Sequence, residues 1–172
     1  MNSSPCPRRI VYPGTFDPIT LGHEDLVRRA VELFDEVVVA VAAETPKTTI
    51  FPLADRVALA ESCLAGIPRV RVRPFQGLLL HLLAEEGVRV ILRGLRAVSD
   101  FEHEFQLASI QRRMDLHVET LFLMTSDAHT FLSSSLVREI SRLGGDVGAF
   151  VQPVVADALR QRFAPAEGKR VE

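Results

Sequence analysis

A histidine follows a turn-rich segment near the N-terminus, which reads Tyr12-Pro13-Gly14-Thr15-Phe16-Asp17-Pro18-Ile19-Thr20-Leu21-Gly22-His23. Gly14 lets the backbone approach a ligand closely, and Thr15 offers a hydroxyl group. Thr20 is a suitable N-cap for a helix, which puts Gly22 and His23 in the first helical turn. Free N–H groups and the helix dipole attract anions at that position, so His23 is placed to donate a hydrogen bond to phosphate. The alternative is a capped helix whose histidine faces solvent.

The phosphate-binding motifs of other nucleotide enzymes do not occur in this segment. No Gly-Lys-Ser/Thr follows, as a Walker loop requires, and the spacing is not G-x-G-x-x-G. The segment does contain T-x-G-H where a helix opens directly after a predicted strand. This element resembles a variant of the H-x-G-H signature of the nucleotidylyltransferase superfamily, although four residues are weak evidence by themselves.

Basic residues recur in two later segments. Lys47 lies in Glu44-Thr45-Pro46-Lys47-Thr48-Thr49, and an exposed loop lysine is usually just solvated. Arg93 and Arg96 flank a glycine, and two such arginines can form a fork for phosphates. The sequence leaves an equal alternative open, in which these arginines simply pair with acids such as Glu104.

Three consecutive serines, Ser133-Ser134-Ser135, precede a predicted helix, and Arg138 follows one turn later. Serine is a good N-cap, and capping is the simpler interpretation. Hydroxyl groups, free amides and a positive charge would also suit a phosphate.

Short apolar runs alternate with segments of helical periodicity along the chain. Strands are predicted at residues 10–12, 37–43, 70–75, 88–92 and 119–124, and helices at 26–34, 53–64, 78–86, 101–114, 136–143 and 154–163. This alternation predicts an α/β fold: a single Rossmann-like domain over residues 8–163, with a five-stranded parallel sheet and helices on both faces. Residues 1–7 and 164–172 are predicted to be flexible termini.

Ligands of such sheets bind beyond the carboxyl ends of the strands. This rule selects the segments 13–22, 44–52, 93–99 and 125–133, which should lie on one rim and which hold most of the unusual chemistry. The helix predicted at 101–114 has two apolar lines, and one of them is expected to contact another subunit.

Composition excludes several functional classes. The 172 residues carry a formal net charge of −2, which argues against general nucleic-acid binding. No apolar run approaches the roughly 18 residues of a membrane span, and the N-terminus does not resemble a secretory signal. Cys6 and Cys63 have no pairing or zinc-ligand spacing, and no G-x-S-x-G elbow is present. The sequence therefore predicts a cytoplasmic protein without a membrane or nucleic-acid partner.

Taken together, these segments resemble the bacterial phosphopantetheine adenylyltransferases over residues 10–163. The most specific parts are 12–23, Lys47, 93–104 and 131–137. This family transfers AMP from ATP to 4′-phosphopantetheine with magnesium, Mg2+, and its members are usually homohexamers. The resemblance implies ATP and 4′-phosphopantetheine as substrates. Because the acceptor phosphate is already ionised near neutral pH, in-line attack without a covalent intermediate is expected. Magnesium would be held mainly by ATP phosphates and water, since the sequence shows no dedicated carboxylate cage.

The resemblance also implies roles for individual residues. His23 would stabilise the transition state. The pantetheine substrate would contact Thr15, Lys47, Leu79 and Arg93, with Leu79 acting largely through its backbone. ATP would be surrounded by Thr15, Phe16, His23, Gly94, Leu95, Arg96, Glu104, His129, Thr130, Phe131, Leu132, Ser133, Ser134 and Ser135.

Two other readings stay open on the residues alone. One is a nucleotidylyltransferase for another phosphorylated acceptor, such as nicotinate mononucleotide or glycerol phosphate, which T-x-G-H does not exclude. The other is a nucleotide-binding sensor without catalysis, which would not need His23 in the first helical turn.

Overall fold

The computed structural model describes residues 7–44, 48–96 and 98–164. The flexible termini predicted at 1–7 and 164–172 lie outside these ranges, apart from residues 7 and 164. Lys47 and Cys6 also lie outside them.

Strands and helices alternate through the described residues, as the sequence predicts. The strands are β1 (Arg9–Gly14), β2 (Glu36–Ala42), β3 (Val70–Phe75), β4 (Val90–Leu95) and β5 (Glu119–Met124). The helices are α1 (Leu21–Leu33), α2 (Leu53–Leu64), α3 (Leu79–Glu86), α4 (Val98–Met114), α5 (Ser134–Arg142) and α6 (Pro153–Phe163), with a short 3-10 helix at Asp127–His129. Within the described ranges, none of the helices is long and apolar enough to cross a membrane.

All strand pairs of the sheet are parallel, in the order β3-β2-β1-β4-β5. The chain moves outward from β1 in one direction through β2 and β3, and then crosses back to β4 and β5. The strand order therefore reverses between β1 and β4. In doubly wound sheets the crevice at such a switch point, outside the carboxyl ends of the strands, is the usual ligand site.

The central strands β1 and β2 are buried on both faces, which explains their continuous apolar runs. In β2, Val37, Val39 and Val41 belong to the larger core cluster, which α1, α2, α5 and α6 complete. Val38 and Ala40 belong to a second cluster on the opposite face, formed with α3. The predicted single α/β domain with helices on both faces is confirmed.

Two predicted strand ends are wrong. Pro13-Gly14 was expected to end the first strand at residue 12, but both residues continue in register with Ala40 and Val41 of β2. β1 pairs with β4 only between Val11 and Ile91, so pairing with β2 alone keeps the strand extended through the proline.

The fourth strand, predicted at 88–92, begins at Val90 and runs on through Leu95. Arg93 and Gly94 therefore lie in a strand and not in a loop, since both pair with β5. Gly94 is required there because a Cβ atom would overlap the Leu26 Cδ1, and Leu26 is only 2% exposed in the core.

Gly94→Ala is therefore expected to destabilise the protein by about 1–3 kcal/mol, because overpacking forces the Leu26 side chain or the backbone to shift. Urea denaturation measures this change. Gly66→Ala is the matched control, since a Cβ at Gly66 would meet no atom within 4 Å, and its effect should stay within about 0.5 kcal/mol. Equal stability of the two variants would show that the core around residue 94 can rearrange to accommodate the added methyl group.

Candidate active site

A cleft of about 250 Å³ opens at the carboxyl edge of the sheet, at the switch point between β1 and β4. Its walls come from five segments: the turn after β1 with the start of α1, the residues before α2, the end of β4 with α4, the residue after β5, and the start of α5. The described residues that line it are Tyr12, Pro13, Thr15, Phe16, Asp17, Thr20, Gly22, His23, Leu26, Thr48, Thr49, Arg93, Gly94, Arg96, Glu104, Thr125, Leu132, Ser133, Ser134, Ser135 and Arg138.

The start of α1 fixes the orientation of the His23 ring. Thr20 is the N-cap and His23 the third helical residue, the two positions of a capping box. The Thr20 backbone N–H donates to His23 Nδ1 over 3.0 Å, and the Thr20 hydroxyl oxygen lies 2.9 Å from the same nitrogen. Nδ1 is thus an acceptor, so the neutral ring carries its proton on Nε2. The helix cap therefore sets the tautomer of the His23 ring, which presents its Nε2–H donor to the cleft.

His23 stays neutral in the folded protein. Burial, with a smaller effect from the nearby Arg96 guanidinium, lowers the pKa of His23 to about 4. Because protonation would also remove the acceptor that Thr20 needs, the ring acts as a hydrogen-bond donor and not as a proton shuttle near neutral pH.

This pKa shift predicts how stability depends on pH. The unfolded chain binds a proton at His23 below about pH 6.5, whereas the folded protein does not until about pH 4. The His23 contribution to the free energy of unfolding is therefore full above pH 6.5 and is lost as the pH falls toward 4. Urea titrations of the wild type and of His23→Gln from pH 8 to 4 should show the wild type losing more stability across this window. Parallel curves would contradict a depressed His23 pKa.

Two aromatic rings support the imidazole. The Phe16 ring packs edge-on against the rings of His23, with centroids 5.1 Å apart, and Tyr12, at 5.4 Å. Phe16 has a φ of +47°, and a Cβ on Gly14 would lie 2.9 Å from the Phe16 ring. Burial raises the pKa of Tyr12 far above its ordinary value, so its hydroxyl stays protonated.

Arg93 points into the cleft from β4 and pairs with Glu104 of α4. Arg93 Nε lies 3.3 Å from Glu104 Oε2, and the two side chains are 19% and 22% exposed. The ion-pair alternative left open by the sequence is thus realised in part. This ion pair uses Nε, and Nη1 makes a long contact of 3.5 Å with the Pro13 carbonyl.

The serines at the start of α5 combine capping with a place in the cleft wall. Ser133 Oγ accepts from the Leu136 N–H, as a cap should, and the Ser134 hydroxyl donates to the Pro18 carbonyl. Arg138 donates to the Asp17 carbonyl over 2.5 Å and to Ser135 Oγ over 3.2 Å. Arg96 donates to the Leu132 carbonyl. These bonds join the turn after β1 and the end of β4 to the start of α5 around one opening.

Most of the residues predicted to bind substrates meet at this cleft. The ones lining it are Thr15, Phe16, His23, Arg93, Gly94, Arg96, Glu104, Leu132, Ser133, Ser134 and Ser135. Leu79, the first residue of α3, lies in the second core cluster and is 8% exposed, and Leu95 is equally buried. His129, Thr130 and Phe131 are outside the lining, and the Phe131 side chain is 88% exposed. Lys47 lies outside the described residues, although Thr48 and Thr49 beside it in the sequence line the cleft.

Sequence reasoning assigned no role to Asp17 or Arg56, and it noted Arg138 only as a positive charge that follows the three serines. Asp17 and Arg138 line the cleft and lie close together, with Arg138 Nη1 3.5 Å from Asp17 Oδ2. Arg56 is 2% exposed behind the cleft. A charged residue in the apolar line of a predicted helix is the one signal that could have found Arg56.

Charge in the cleft favours anions. Its described lining holds three arginines (Arg93, Arg96 and Arg138) against the carboxylates of Asp17 and Glu104. Among the described residues, no group of three His, Cys, Asp or Glu side chains could hold a metal ion. The arrangement suits binding and orientation of phosphate groups.

Residues 11–140 match the cytidylyltransferase-like family model. The chain is 56% identical over 153 residues to the phosphopantetheine adenylyltransferase of Thiobacillus denitrificans, covering 89% of this chain and 96% of that protein. A putative nicotinate-nucleotide adenylyltransferase from Vibrio parahaemolyticus is similar in structure, with a TM-score of 0.65 at 14% identity, covering 91% of this chain and 96% of that one. A lipopolysaccharide core biosynthesis protein from Thermoplasma volcanium has a TM-score of 0.54 at 24% identity, with coverage of 71% and 100%.

Proposed function

This chain belongs to the phosphopantetheine adenylyltransferase family, within the cytidylyltransferase-like nucleotidyltransferases, and from that premise we propose that it transfers AMP from ATP to 4′-phosphopantetheine. The products are dephospho-coenzyme A and pyrophosphate, a late step of coenzyme A synthesis. The observation that carries the proposal is the cleft itself, where His23, Arg93, Arg96 and the α5 serines converge from segments distant in sequence.

The proposed step is a direct displacement at the α-phosphorus of ATP. A phosphate oxygen of the acceptor forms the new P–O bond as the bond to the bridging oxygen of pyrophosphate breaks. The acceptor phosphate is already ionised near neutral pH, so the reaction needs no general base and no covalent intermediate. What the protein must supply is orientation, worth about 7–11 kcal/mol in favourable cases, and stabilisation of the charge that develops.

His23 supplies that stabilisation in our proposal. Its Nε2–H is a neutral donor held by the Thr20 cap and the Phe16 ring. A neutral donor fits this task, because it can stabilise the negative charge that develops from the α-phosphate during the reaction without giving up its proton.

In this proposal, some basic residues of the site bind the acceptor and others bind the nucleotide. Arg93, together with Lys47, would hold the phosphate of the acceptor, with Thr15 and the backbone of Leu79 as further contacts. The nucleotide would bind between Arg96, Glu104 and the residues from His129 to Ser135, with Gly94 and Leu95 presenting backbone groups. Because Phe131 is exposed and outside the cleft lining, it would contact ATP at the outer edge of the nucleotide site.

Magnesium enters this proposal with ATP. The described cleft carboxylates are already engaged, Asp17 by backbone amides and Glu104 by Arg93, so these residues do not form a protein cage for Mg2+. The ion is proposed to be held by ATP phosphates and water, as Mg2+ often is, and no step described above is assigned to it.

Self-association is part of the proposal. On α4, the apolar side chains of Phe101, Phe105, Ile110 and Met114 are each between 44% and 57% exposed. This exposed face supports a homo-oligomer, which the family resemblance predicts to be a hexamer. Sedimentation velocity or light scattering of the full chain tests the number of subunits.

We also propose a cytoplasmic location, where ATP is available and thiols stay reduced. The thiol of Cys63 is free, and burial, with a smaller effect from Glu24, raises its pKa to about 11. Such a thiol is a poor nucleophile at neutral pH and fits a packing role.

A pyrophosphate-release assay with a panel of acceptors tests the function. Turnover is expected with ATP and 4′-phosphopantetheine, and not with nicotinate mononucleotide or glycerol 3-phosphate. Turnover with only one of the latter two would replace the proposed acceptor. Saturable ATP binding without pyrophosphate release from any acceptor would point to a nucleotide sensor.

A further inference from the structure

Arg56 is a buried cation of α2 that binds three backbone carbonyls from separate segments. Its Nη1 donates to the Thr15 carbonyl over 2.7 Å and to the Ala42 carbonyl over 2.8 Å, and its Nε donates to the Phe51 carbonyl over 3.2 Å. Thr15 follows β1, Ala42 ends β2, and Phe51 precedes α2. One guanidinium therefore ties the turn after β1 to both flanks of the segment that joins β2 to α2.

Asp17 makes the reciprocal connection from the turn after β1. Its Oδ2 accepts from the Ile50 N–H over 2.9 Å, and its Oδ1 accepts from the Phe51 N–H over 3.0 Å. The side chain is 2% exposed, and Arg138 supplies a nearby positive charge. Both oxygens of this carboxylate are thus used to hold backbone amides just before α2.

A buried guanidinium is costly to desolvate, and an apolar side chain of similar volume often stabilises a core equally well. Arg56 and Asp17 instead use their charges on the backbone of two cleft walls. One wall carries Thr15 and Phe16, and the other carries Thr48 and Thr49.

We propose that Arg56 and Asp17 are positioning residues, which together form a clamp that fixes the distance between these two walls. The inference rests on the proposed function, since the walls would hold the acceptor against the nucleotide. Neither side chain needs to touch a substrate. Loosening the clamp should misalign the acceptor phosphate relative to ATP, and misplacement by about 1 Å can cost on the order of 100-fold in rate.

Arg56→Lys is the first test variant, because it keeps the charge but cannot span three carbonyls. Asp17→Asn is the second, since its carboxamide keeps one oxygen for the amides. The control is Val155→Ala, which removes fully buried apolar atoms of α6 away from the cleft lining and lowers stability without touching the clamp.

The expected result in both clamp variants is a kcat/KM for 4′-phosphopantetheine lowered by about 10-fold or more, while the Kd for ATP alone, from calorimetry, stays within about threefold. In Val155→Ala both constants should match the wild type. An unchanged kcat/KM for the acceptor in the folded clamp variants would overturn the proposal, and so would equal changes in all three proteins.

Hydrogen exchange of the unliganded protein tests the clamp without any assumption about substrate. In Asp17→Asn the Ile50 and Phe51 amides should exchange at least about 10-fold faster than in the wild type, and in Val155→Ala they should not. Unchanged exchange would contradict the clamp. Absence of turnover by the wild-type protein with 4′-phosphopantetheine would instead contradict the proposed function and leave the exchange result to decide on the clamp.

Discussion

His23→Ala is expected to lower kcat about 10²- to 10³-fold, because a preorganised donor to a developing anion is worth about 2.7–4 kcal/mol. The His23 ring is fixed before substrates arrive, because Nδ1 is bound by the Thr20 N–H and the ring packs against Phe16 in an edge-type contact. The affinity for ATP should change by less than about threefold, since the donor acts mainly on the transition state. Single-turnover pyrophosphate release and calorimetry measure the two quantities.

Loss of the helix cap must be separated from loss of the donor. His23→Gln serves as the control, because glutamine at the third helical position can accept from the N-cap N–H in an ordinary capping box. Both variants should lose turnover, whereas only His23→Ala should also lose stability, by about 0.5–2 kcal/mol. Wild-type turnover in either folded variant would remove the imidazole from the mechanism.

The residues that define the fold could be predicted because each carries its own local signal. Val37–Val41 is continuously apolar, which a strand buried on both faces requires, and the T-x-G-H element fits the start of a helix whatever its function. The resemblance drawn from these motifs is confirmed by the relative that is 56% identical. The positions of Thr20 at the N-cap and of His23 in the first helical turn were also predicted, whereas the bond from the Thr20 N–H to His23 Nδ1 that sets the tautomer emerges only from the structure.

The strand ends were harder to predict. Glycine and proline indicate the local backbone conformation, but they do not indicate whether a segment pairs with a neighbouring strand. Pro13 and Gly14 are typical of turns, yet the neighbouring strand β2 keeps them extended. Gly94 follows Arg93 as if to end a strand, but its missing side chain makes room for Leu26, which is 68 positions earlier in the sequence. No local pattern contains that contact.

The roles of Arg56 behind the cleft and of Asp17 in its lining were missed for a similar reason. Arg56 binds the carbonyl of Thr15, 41 positions away, and Asp17 binds amides 33 and 34 positions away. In sequence these are an ordinary helix arginine and an ordinary turn aspartate. Only the sheet order, which sets β1 beside β2, brings the segments close enough for one side chain to bridge them.

Arg93→Ala is expected to lower kcat/KM for 4′-phosphopantetheine by about 10²- to 10³-fold. Removal of one partner of a partly buried charge pair costs about 2–5 kcal/mol, much of it from the charge left behind. Here the remaining charge is the Glu104 carboxylate, 22% exposed and facing the place where an anion must bind. The cleft would therefore lose an attraction and gain a repulsion at the same position. Steady-state kinetics at saturating ATP measure the effect.

The double variant Arg93→Ala/Glu104→Gln separates these two contributions. Neutralising Glu104 removes the repulsion but does not restore the cation, so kcat/KM should recover by about 10-fold and remain below the wild type. No recovery would show that the carboxylate does not oppose the acceptor. A change in ATP affinity alone, with the acceptor KM untouched, would place Arg93 on the nucleotide side of the cleft and reverse the division of cations proposed above.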